Sequence, residues 1–235
     1  MDICENPLNL VDTIRPNLIR MEDSLILALF ERARFKQNDK AYIPGAVGIP
    51  NFQDSFFEFM LMGTEEVHAK AGRFLHPEEH PFSDNLPDAV VERDYGESPI
   101  RMVGINANDR IRELHIRALK RICEEGDDGH YGSSAVWDIG ILQTLSRRVH
   151  YGLYVAEAKF QENPEVYAQL VKEKNVKGIE SELTNEAVEK SILERVAKKG
   201  EIYKIDPDFI SSFYSDEIIP LTKRVEVEYF LKRGD

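Results

Sequence analysis

The sequence is poor in cysteine, in strand-forming patterns and in long apolar runs, and each shortage excludes a class of protein. Only Cys4 and Cys123 are present in 235 residues, so a disulfide framework is excluded and metal-ligand spacing is absent. No uninterrupted apolar stretch is long enough to cross a bilayer. Alternating β-branched runs and Asn-Gly hairpins are also missing. We therefore expect an all-α protein in a reducing, cytoplasmic setting, although a chain trimmed of a plastid or secretory leader would read the same way.

The chain also lacks positive charge. Lysine and arginine total 30 against 42 acidic residues, which gives a net charge of −12. This balance argues against broad binding to nucleic acid or to an anionic membrane, since both need a basic field. Any bound anion must be held by a local group of cations.

Apolar residues recur at the three- and four-residue steps of helices over much of the chain. Thr13 can cap the first helix, Pro16 suits its first turn, and Pro220 indicates a kink or boundary in the last one. No linker separates two apolar halves, so residues 1–235 are predicted to form a single-domain helical bundle. We expect helices at about 13–35, 55–74, 109–123, 134–161, 165–174, 175–182, 185–200 and 206–233, with a long proline-rich connection at 75–108 and a glycine-rich loop at 124–134.

The segment "SRRVHYGLYVAEAKFQ" (146–161) is predicted to be one continuous helix that carries separated cations. Arg148 and Lys159 lie eleven residues apart, so they differ by roughly 20° around a helix axis and share one face. Arg147 lies about 100° off that face and can serve another surface. The residues between the two cations on that face are small or apolar: Gly152, Val155 and Ala156. The cations therefore flank a space, unless they only form salt bridges with acids on neighbouring helices.

Two later helices carry polar pairs at four-residue spacing. Asn185 and Glu189 share one helix face, as do Thr222 and Glu226. Taken singly, Asn185 suits a helix cap, Thr222 can bond back to its own helix and Glu226 can be a surface carboxylate. Taken together with Arg15 in the first turn of the first helix, these side chains describe a polar cavity between helices.

Four segments carry a family resemblance: "IRPNLIRMEDSLI", "SRRVHYGLYVAEAKFQ", "LTNEAVE" and "PLTKRVEVEYFLKR". They resemble, in order and over nearly the whole chain, the chorismate mutases of the all-helical fungal and plant type. The resemblance implies a homodimer of helical subunits with one active site each. It also implies the rearrangement of chorismate to prephenate in phenylalanine and tyrosine biosynthesis.

The resemblance implies a role for each residue of the cavity. Arg15 and Arg148 would hold the two carboxylates of chorismate, while Lys159 would contact a carboxylate and the ether oxygen. Glu226 would face the same ether oxygen, and Glu189 would take the ring hydroxyl. Asn185 and Thr222 would complete the polar lining. The rearrangement is intramolecular, so no cofactor or metal is expected, and Glu226 can donate to the ether oxygen only if burial keeps it protonated.

A second resemblance concerns regulation. "KAGRF" (70–74) and "GDDGHYGSSAV" (126–136) are similar to the effector site at the dimer interface of regulated members. There, Arg73 would hold the carboxylate of an aromatic amino acid, and Gly132 and Ser133 would contact its ammonium end or backbone. Tryptophan is the implied activator and tyrosine the implied inhibitor, with phenylalanine as a further effector. Gly72 departs from the paired arginines of fungal members, and the simpler interpretation is a glycine-rich turn with Arg73 bridging to "EEGDD".

Two other functions are compatible with the sequence. One is an inactive mutase-like protein that binds aromatic amino acids, and the other is a helical interaction protein whose polar positions are surface salt bridges. An inactive relative would be expected to have lost at least one cation of the cavity, and Arg15, Arg148 and Lys159 are all present.

Overall fold

A computed structural model describes residues 6–91 and 97–234, and this part of the chain is helical, as predicted. It contains no strand, apart from an isolated bridge between Ile49 and Phe52. Cys4 lies outside the described residues. The α-helices are α1 (Arg15–Arg32), α2 (Phe56–Lys70), α3 (Asn108–Ile122), α4 (Tyr131–His150), α5 (Gly152–Glu162), α6 (Pro164–Lys172), α7 (Val176–Leu183), α8 (Glu186–Tyr203), α9 (Pro207–Phe213) and α10 (Ile219–Arg233).

The first helical segment begins earlier than the sequence suggested, and Thr13 is not its cap. Asn9 caps a π-helical turn over Leu10–Ile14, and its side-chain oxygen accepts from the amides of Val11 and Asp12. This turn continues directly into α1. Asn9 is the stronger cap because its short amide side chain reaches two free N–H groups at once.

The continuous helix predicted at 134–161 is wrong. Its residues form two helices, α4 and α5, which are separated by a one-residue turn at Tyr151. The amide of Tyr154 donates to the carbonyl of Tyr151 over three residues, which tightens the chain there. Gly152 follows at once and weakens the helix, since glycine has low helix propensity and often marks a kink. Arg148 and Lys159 therefore lie on successive helices.

The irregular regions lie where the sequence predicted them, except that the glycine-rich loop ends earlier than expected. Residues 76–91 and 97–107 are without regular structure, and the carboxylate of Glu65 accepts from the amides of Phe82 and Ser83, which holds the connection on α2. The glycine-rich loop ends at His130, four residues before the predicted boundary. Gly132 and Ser133 therefore belong to the first turn of α4, because one glycine among its first four residues does not prevent a helix start beside an apolar run.

The caps near the carboxyl end follow the sequence closely. The side-chain oxygen of Asn185 accepts from the amide of Val188 and begins α8, so the capping interpretation is confirmed. Asp206 caps α9 in the same way. A π-helical turn over Tyr214–Ile218 then leads into α10, and Pro220 lies in the first turn of α10. The boundary predicted at Pro220 is confirmed.

The core lies where α1 packs on α4 and α10 packs on α5. Leu25, Leu145, Tyr229 and Phe230 are among its fully or almost fully buried members. The buried apolar residues of these helices form one cluster. The assignment of residues 1–235 to one domain stays a prediction. Within the described residues, no helix combines the length and the apolar character needed to cross a membrane.

Candidate active site

A cavity of about 590 Å³ opens between α1, α4, α5, α8 and α10. Seven predicted polar side chains line it: Arg15, Arg148, Lys159, Asn185, Glu189, Thr222 and Glu226. They come from five helices and meet because each lies on the inward face or at the inward end of its helix. Arg15 is the most open of the cations, at the exposed first residue of α1.

Arg148 is the buried cation of the cavity. Its side chain belongs to the last turn of α4 and the residue is only 4% exposed. Among the described residues, its Nε and Nη1 atoms have no hydrogen-bond partner. Buried donors without partners are costly, since they have lost water and gained nothing in exchange. An anion in the cavity would satisfy them.

Lys159 reaches the cavity from the last turn of α5. Its Nζ donates to the carbonyl oxygen of Leu183 at 2.5 Å, at the end of α7. Burial lowers the pKa of Lys159, and the nearby carboxyl of Glu226 opposes this shift. The ammonium is thus held near the other polar groups of the cavity, within reach of a ligand.

Glu226 of α10 contributes a buried carboxyl to the cavity, with 6% of the residue exposed. Burial raises the pKa of Glu226 to about 7, even though Lys159, Arg148 and Lys223 pull it down. At neutral pH a large fraction of this carboxyl is therefore protonated. A protonated carboxyl can donate a hydrogen bond, which an ionised one cannot do.

The two remaining polar pairs have local roles as well as places in the cavity. The hydroxyl of Thr222 donates to the carbonyl of Ile218 at 2.7 Å, so its predicted bond back to its own helix is confirmed. Glu189 lies 2.7 Å from the Nζ of Lys223, a cavity residue that sequence reasoning missed. Lys223 follows Thr222 and precedes Glu226 by three residues, so the three-residue step to Glu226 is the signal that could have found it.

Gly152 has a different role from the one expected. A Cβ atom on Gly152 would lie 3.0 Å from Cγ2 of Thr222 and 3.2 Å from Cγ of Glu226. Gly152 therefore does not widen the space between the cations. Its missing side chain lets α10 approach α5 closely, and this contact fixes two cavity residues.

A second charged group on the cavity wall was also missed. Glu22 of α1 is buried, and both of its carboxylate oxygens accept from Arg195 of α8, at 2.7 and 2.8 Å. Lys199 adds a bond to Glu22 at 3.2 Å. Glu22 follows Arg15 by seven residues, which is two helical turns, so continuing the face from Arg15 would have indicated it.

Arg147 lies outside the cavity, as its angular offset predicted. Its guanidinium is 3.6 Å from the carboxylates of Glu78 and Glu79 on the long connection, and about half of the side chain is exposed. Arg147 and Arg148 are adjacent in sequence but serve separate surfaces. Among the described residues, no group of three or more His, Cys, Asp or Glu side chains is placed to hold a metal ion.

The comparisons with known proteins decide the family. The chorismate mutase from Schizosaccharomyces pombe is 40% identical over 240 residues, covering 95% of this chain and 96% of that protein. The chain belongs to the chorismate mutase family. A family model described as chorismate mutase type II matches residues 130–227, which include most of the cavity helices.

Solved chorismate mutase structures share the fold. The enzyme from Candida albicans, solved in complex with L-tryptophan, has a TM-score of 0.93 and 36% identity, and the match covers 99% of this chain and 95% of that one. AtCM1, solved with phenylalanine or with tyrosine in its allosteric site, has a TM-score of 0.91 and 42% identity, and the match covers 100% of this chain and 99% of that one. A relative from Arabidopsis thaliana, named as chloroplastic, is 40% identical over 253 residues, covering 96% of this chain and 74% of that protein.

The predicted effector residues of this chorismate mutase do not meet within one chain. Arg73 donates to Glu79 at 3.0 Å and to Gln143 of α4 at 2.6 Å. Ser133 lies ten residues before Gln143 on the same helix, which separates them by about 15 Å along the axis. The salt bridge suggested between Arg73 and "EEGDD" is wrong, because the partner of Arg73 is Glu79.

Proposed function

We propose that the cavity catalyses the rearrangement of chorismate to prephenate, as the family to which the chain belongs implies. One observation carries the proposal. A buried carboxyl with a pKa raised to about 7, Glu226, shares a cavity with the buried, incompletely bonded guanidinium of Arg148 and with Lys159. A dianion such as chorismate satisfies the cations, and a protonated Glu226 adds a neutral donor.

In the proposed complex, the cations hold the two carboxylates of the substrate. Arg15 and Arg148 bind one carboxylate each, and Lys159 contacts a carboxylate and the ether oxygen. Glu189 accepts from the ring hydroxyl. Asn185 and Thr222 line the cavity, but each already uses its side-chain oxygen or hydroxyl within the protein, so they shape the site more than they bind.

The reaction needs placement and electrostatics. The rearrangement forms one C–C bond and breaks one C–O bond within a single molecule, so no nucleophile or electron carrier takes part. The enzyme holds the two reacting ends together in a compact conformer, which removes an entropic barrier. Negative charge grows on the ether oxygen as the C–O bond breaks, and donors already aimed at that oxygen bind the transition state better than the substrate. Lys159 supplies one donor and protonated Glu226 supplies the other.

The direct test is turnover of chorismate by the purified chain. We expect the chorismate absorbance to fall with time and prephenate to accumulate in equal amount. Absence of turnover between pH 5 and 9, with the protein folded, would contradict the proposal. If the chain then still bound tryptophan or tyrosine, it would be an inactive mutase-like protein.

Regulation and dimerisation form the second part of the proposal. A homodimer would bring Arg73 of one subunit near Gly132 and Ser133 of the other, where an aromatic amino acid could bind between them. Relatives with tryptophan, phenylalanine and tyrosine bound support this. Exposed apolar side chains on α2 and α4 (Phe59, Met62, Val67 and Val136) offer a surface for the second copy.

This second part has its own measurements. Sedimentation should give twice the mass of one 27.0 kDa chain, and tryptophan and tyrosine should change the chorismate KM in opposite directions. Arg73→Ala should abolish both responses and leave the unliganded rate within about two-fold, since Arg73 is outside the cavity. A monomer in solution, or effector responses that survive Arg73→Ala, would contradict it.

The proposed location is the cytoplasm. The free, buried thiol of Cys123 is compatible with a reducing compartment. Because several similar relatives are named as chloroplastic, expression of the tagged full-length gene product and microscopy are the relevant test. A plastid signal would contradict the cytoplasmic location without affecting the enzymatic proposal.

A further inference from the structure

Lys223 stands between the cavity and a separate groove on the outer surface. The groove is formed mainly by α7 and α10, and Lys223, Glu189 and Ile219 line both it and the cavity. Arg224, the next residue, lines only the groove and is exposed. The two adjacent cations therefore have the same charge but different access to the site.

The ammonium of Lys223 makes two contacts that meet at one edge of the cavity. Its Nζ lies 2.7 Å from Oε1 of Glu189 on α8 and donates to the hydroxyl of Thr184 at 3.0 Å. Thr184 belongs to the short connection between α7 and α8, next to Leu183, which accepts from Lys159. Lysines from α5 and α10 thus hold this connection from two sides.

The ion pair between Lys223 and Glu189 is too exposed to be important for folding. The two side chains are 26% and 29% exposed. Pairs that keep this much contact with water contribute little to stability, because the solvent screens the attraction. The pair instead restricts the position of Glu189. This long side chain is otherwise free to rotate, and the contact with Lys223 fixes one of its carboxylate oxygens. The other oxygen stays available as an acceptor.

We propose that Lys223 is a positioning residue, which fixes the Glu189 carboxylate as the acceptor for the ring hydroxyl of chorismate and holds the α7–α8 connection at the edge of the cavity. This inference rests on the proposed function, because it assigns Glu189 to the ring hydroxyl. Lys223 also adds a positive charge at the rim of a site that takes a dianion. Its removal acts through the loosened Glu189 acceptor, because water screens the charge of a side chain that is 26% exposed.

The test compares three variants in the chorismate assay. Lys223→Met removes the ammonium and keeps the length of the side chain, and Arg224→Met makes the same change of charge one residue away. We expect Lys223→Met to raise KM and to lower kcat/KM by about 10- to 100-fold, since small misplacements of a positioning group have effects of this size. Arg224→Met should stay within about two-fold of the wild type, as surface changes away from the site do. Lys223→Arg, which keeps a cation of similar reach, should recover most of the loss.

A double-variant cycle with Glu189→Gln separates positioning from a general effect of charge. If Lys223 acts through Glu189, the double variant Lys223→Met/Glu189→Gln should be little worse than Glu189→Gln alone. The inference is overturned if the two losses multiply, or if Lys223→Met behaves like Arg224→Met. Thermal unfolding of Lys223→Met should match that of Arg224→Met, so a lower melting temperature in Lys223→Met alone would assign the residue a structural role and overturn it as well.

The same experiment keeps the two proposals apart. If the wild-type chain does not convert chorismate, the proposed function fails, whatever the variants do. If the wild type is active and the variants do not differ, only the role of Lys223 fails.

Discussion

Two buried arginines of this chorismate mutase are used in opposite ways. Arg32 of α1 is completely buried, and its guanidinium is bonded on every side: to Asp138 at 2.8 Å, and to the carbonyl oxygens of Lys36 and Gln37 at 2.9 Å each. Arg148 is almost as deeply buried, but two of its nitrogen atoms have no partner in the described part of the chain. A buried cation whose donors are all used holds the protein together. One whose donors remain free marks the place of a ligand.

The neighbouring acids differ in the same way. Asp138 accepts from Arg32 with one carboxylate oxygen and from the hydroxyl of Tyr42 at 2.5 Å with the other, so both oxygens have a partner. Glu226 has cations nearby, yet burial outweighs them and raises its pKa to about 7. The carboxylate in the cluster around Arg32 is therefore held by fixed partners, and the cavity contains a carboxyl that changes its protonation near neutral pH.

The sharpest test of this contrast is Arg148→Ala. We expect kcat/KM for chorismate to fall by at least about 10²–10³-fold, the usual cost of losing one preorganised donor. The melting temperature should stay the same or rise, because a buried and incompletely bonded charge is removed. A large loss of stability with normal activity in the folded fraction would show that Arg148 is structural.

Arg32→Ala should give the opposite result. The change leaves Asp138 buried without its main partner, and breaking a buried pair of this kind costs about 3–5 kcal/mol of folding free energy. Urea unfolding would measure this loss. The folded fraction should keep its KM for chorismate, and a raised KM at unchanged stability would contradict the distinction between the two arginines.

Gly152→Ala probes the contact that shapes the cavity. The new methyl group meets Thr222 and Glu226 at 3.0 and 3.2 Å, so α10 must shift or the side chains must rotate. We expect a loss of about 1–3 kcal/mol in stability, as overpacking gives, and a drop in kcat because Glu226 moves. Gly140→Ala is a suitable control, since a Cβ at Gly140 meets nothing within 4 Å. Equal behaviour of the two variants would show that the close approach of α10 does not matter.

Arg147→Ala should have the smallest effect. Its guanidinium faces Glu78 and Glu79 at 3.6 Å in a half-exposed setting, outside the cavity. Such contacts contribute at most about 1 kcal/mol, so activity and stability should stay close to the wild type. Arg147→Ala and Arg148→Ala each remove one arginine at adjacent positions, so the comparison isolates the effect of where the arginine points. A loss of activity in Arg147→Ala close to that in Arg148→Ala would contradict the conclusion that only Arg148 serves the cavity.

Helical periodicity predicted the helices and the inward residues well, because both depend on local spacing. Asn185 could be recognised as a cap from its neighbours alone. Taken singly, Glu226 could equally be a surface carboxylate, and only the polar positions taken together predicted a cavity. The break at Tyr151 was missed because a single glycine inside a helical pattern is usually tolerated, so Gly152 did not decide between a continuous and a broken helix. Glu189, the partner of Lys223, and Gln143, one of the partners of Arg73, were missed because they lie on other helices, far away in sequence.

The central claim is that Glu226 donates a hydrogen bond to the ether oxygen in its protonated form. The pH dependence of kcat/KM in the wild type and in Glu226→Gln tests this most directly, because it reports the ionisation of the free enzyme. We predict that the wild-type value falls as pH rises through about 7, where Glu226 ionises. Glu226→Gln keeps a donor at every pH, so its profile should be flat over the same range. A flat wild-type profile from pH 5 to 9, or a Glu226→Gln profile that falls at the same pH as the wild type, would contradict the account.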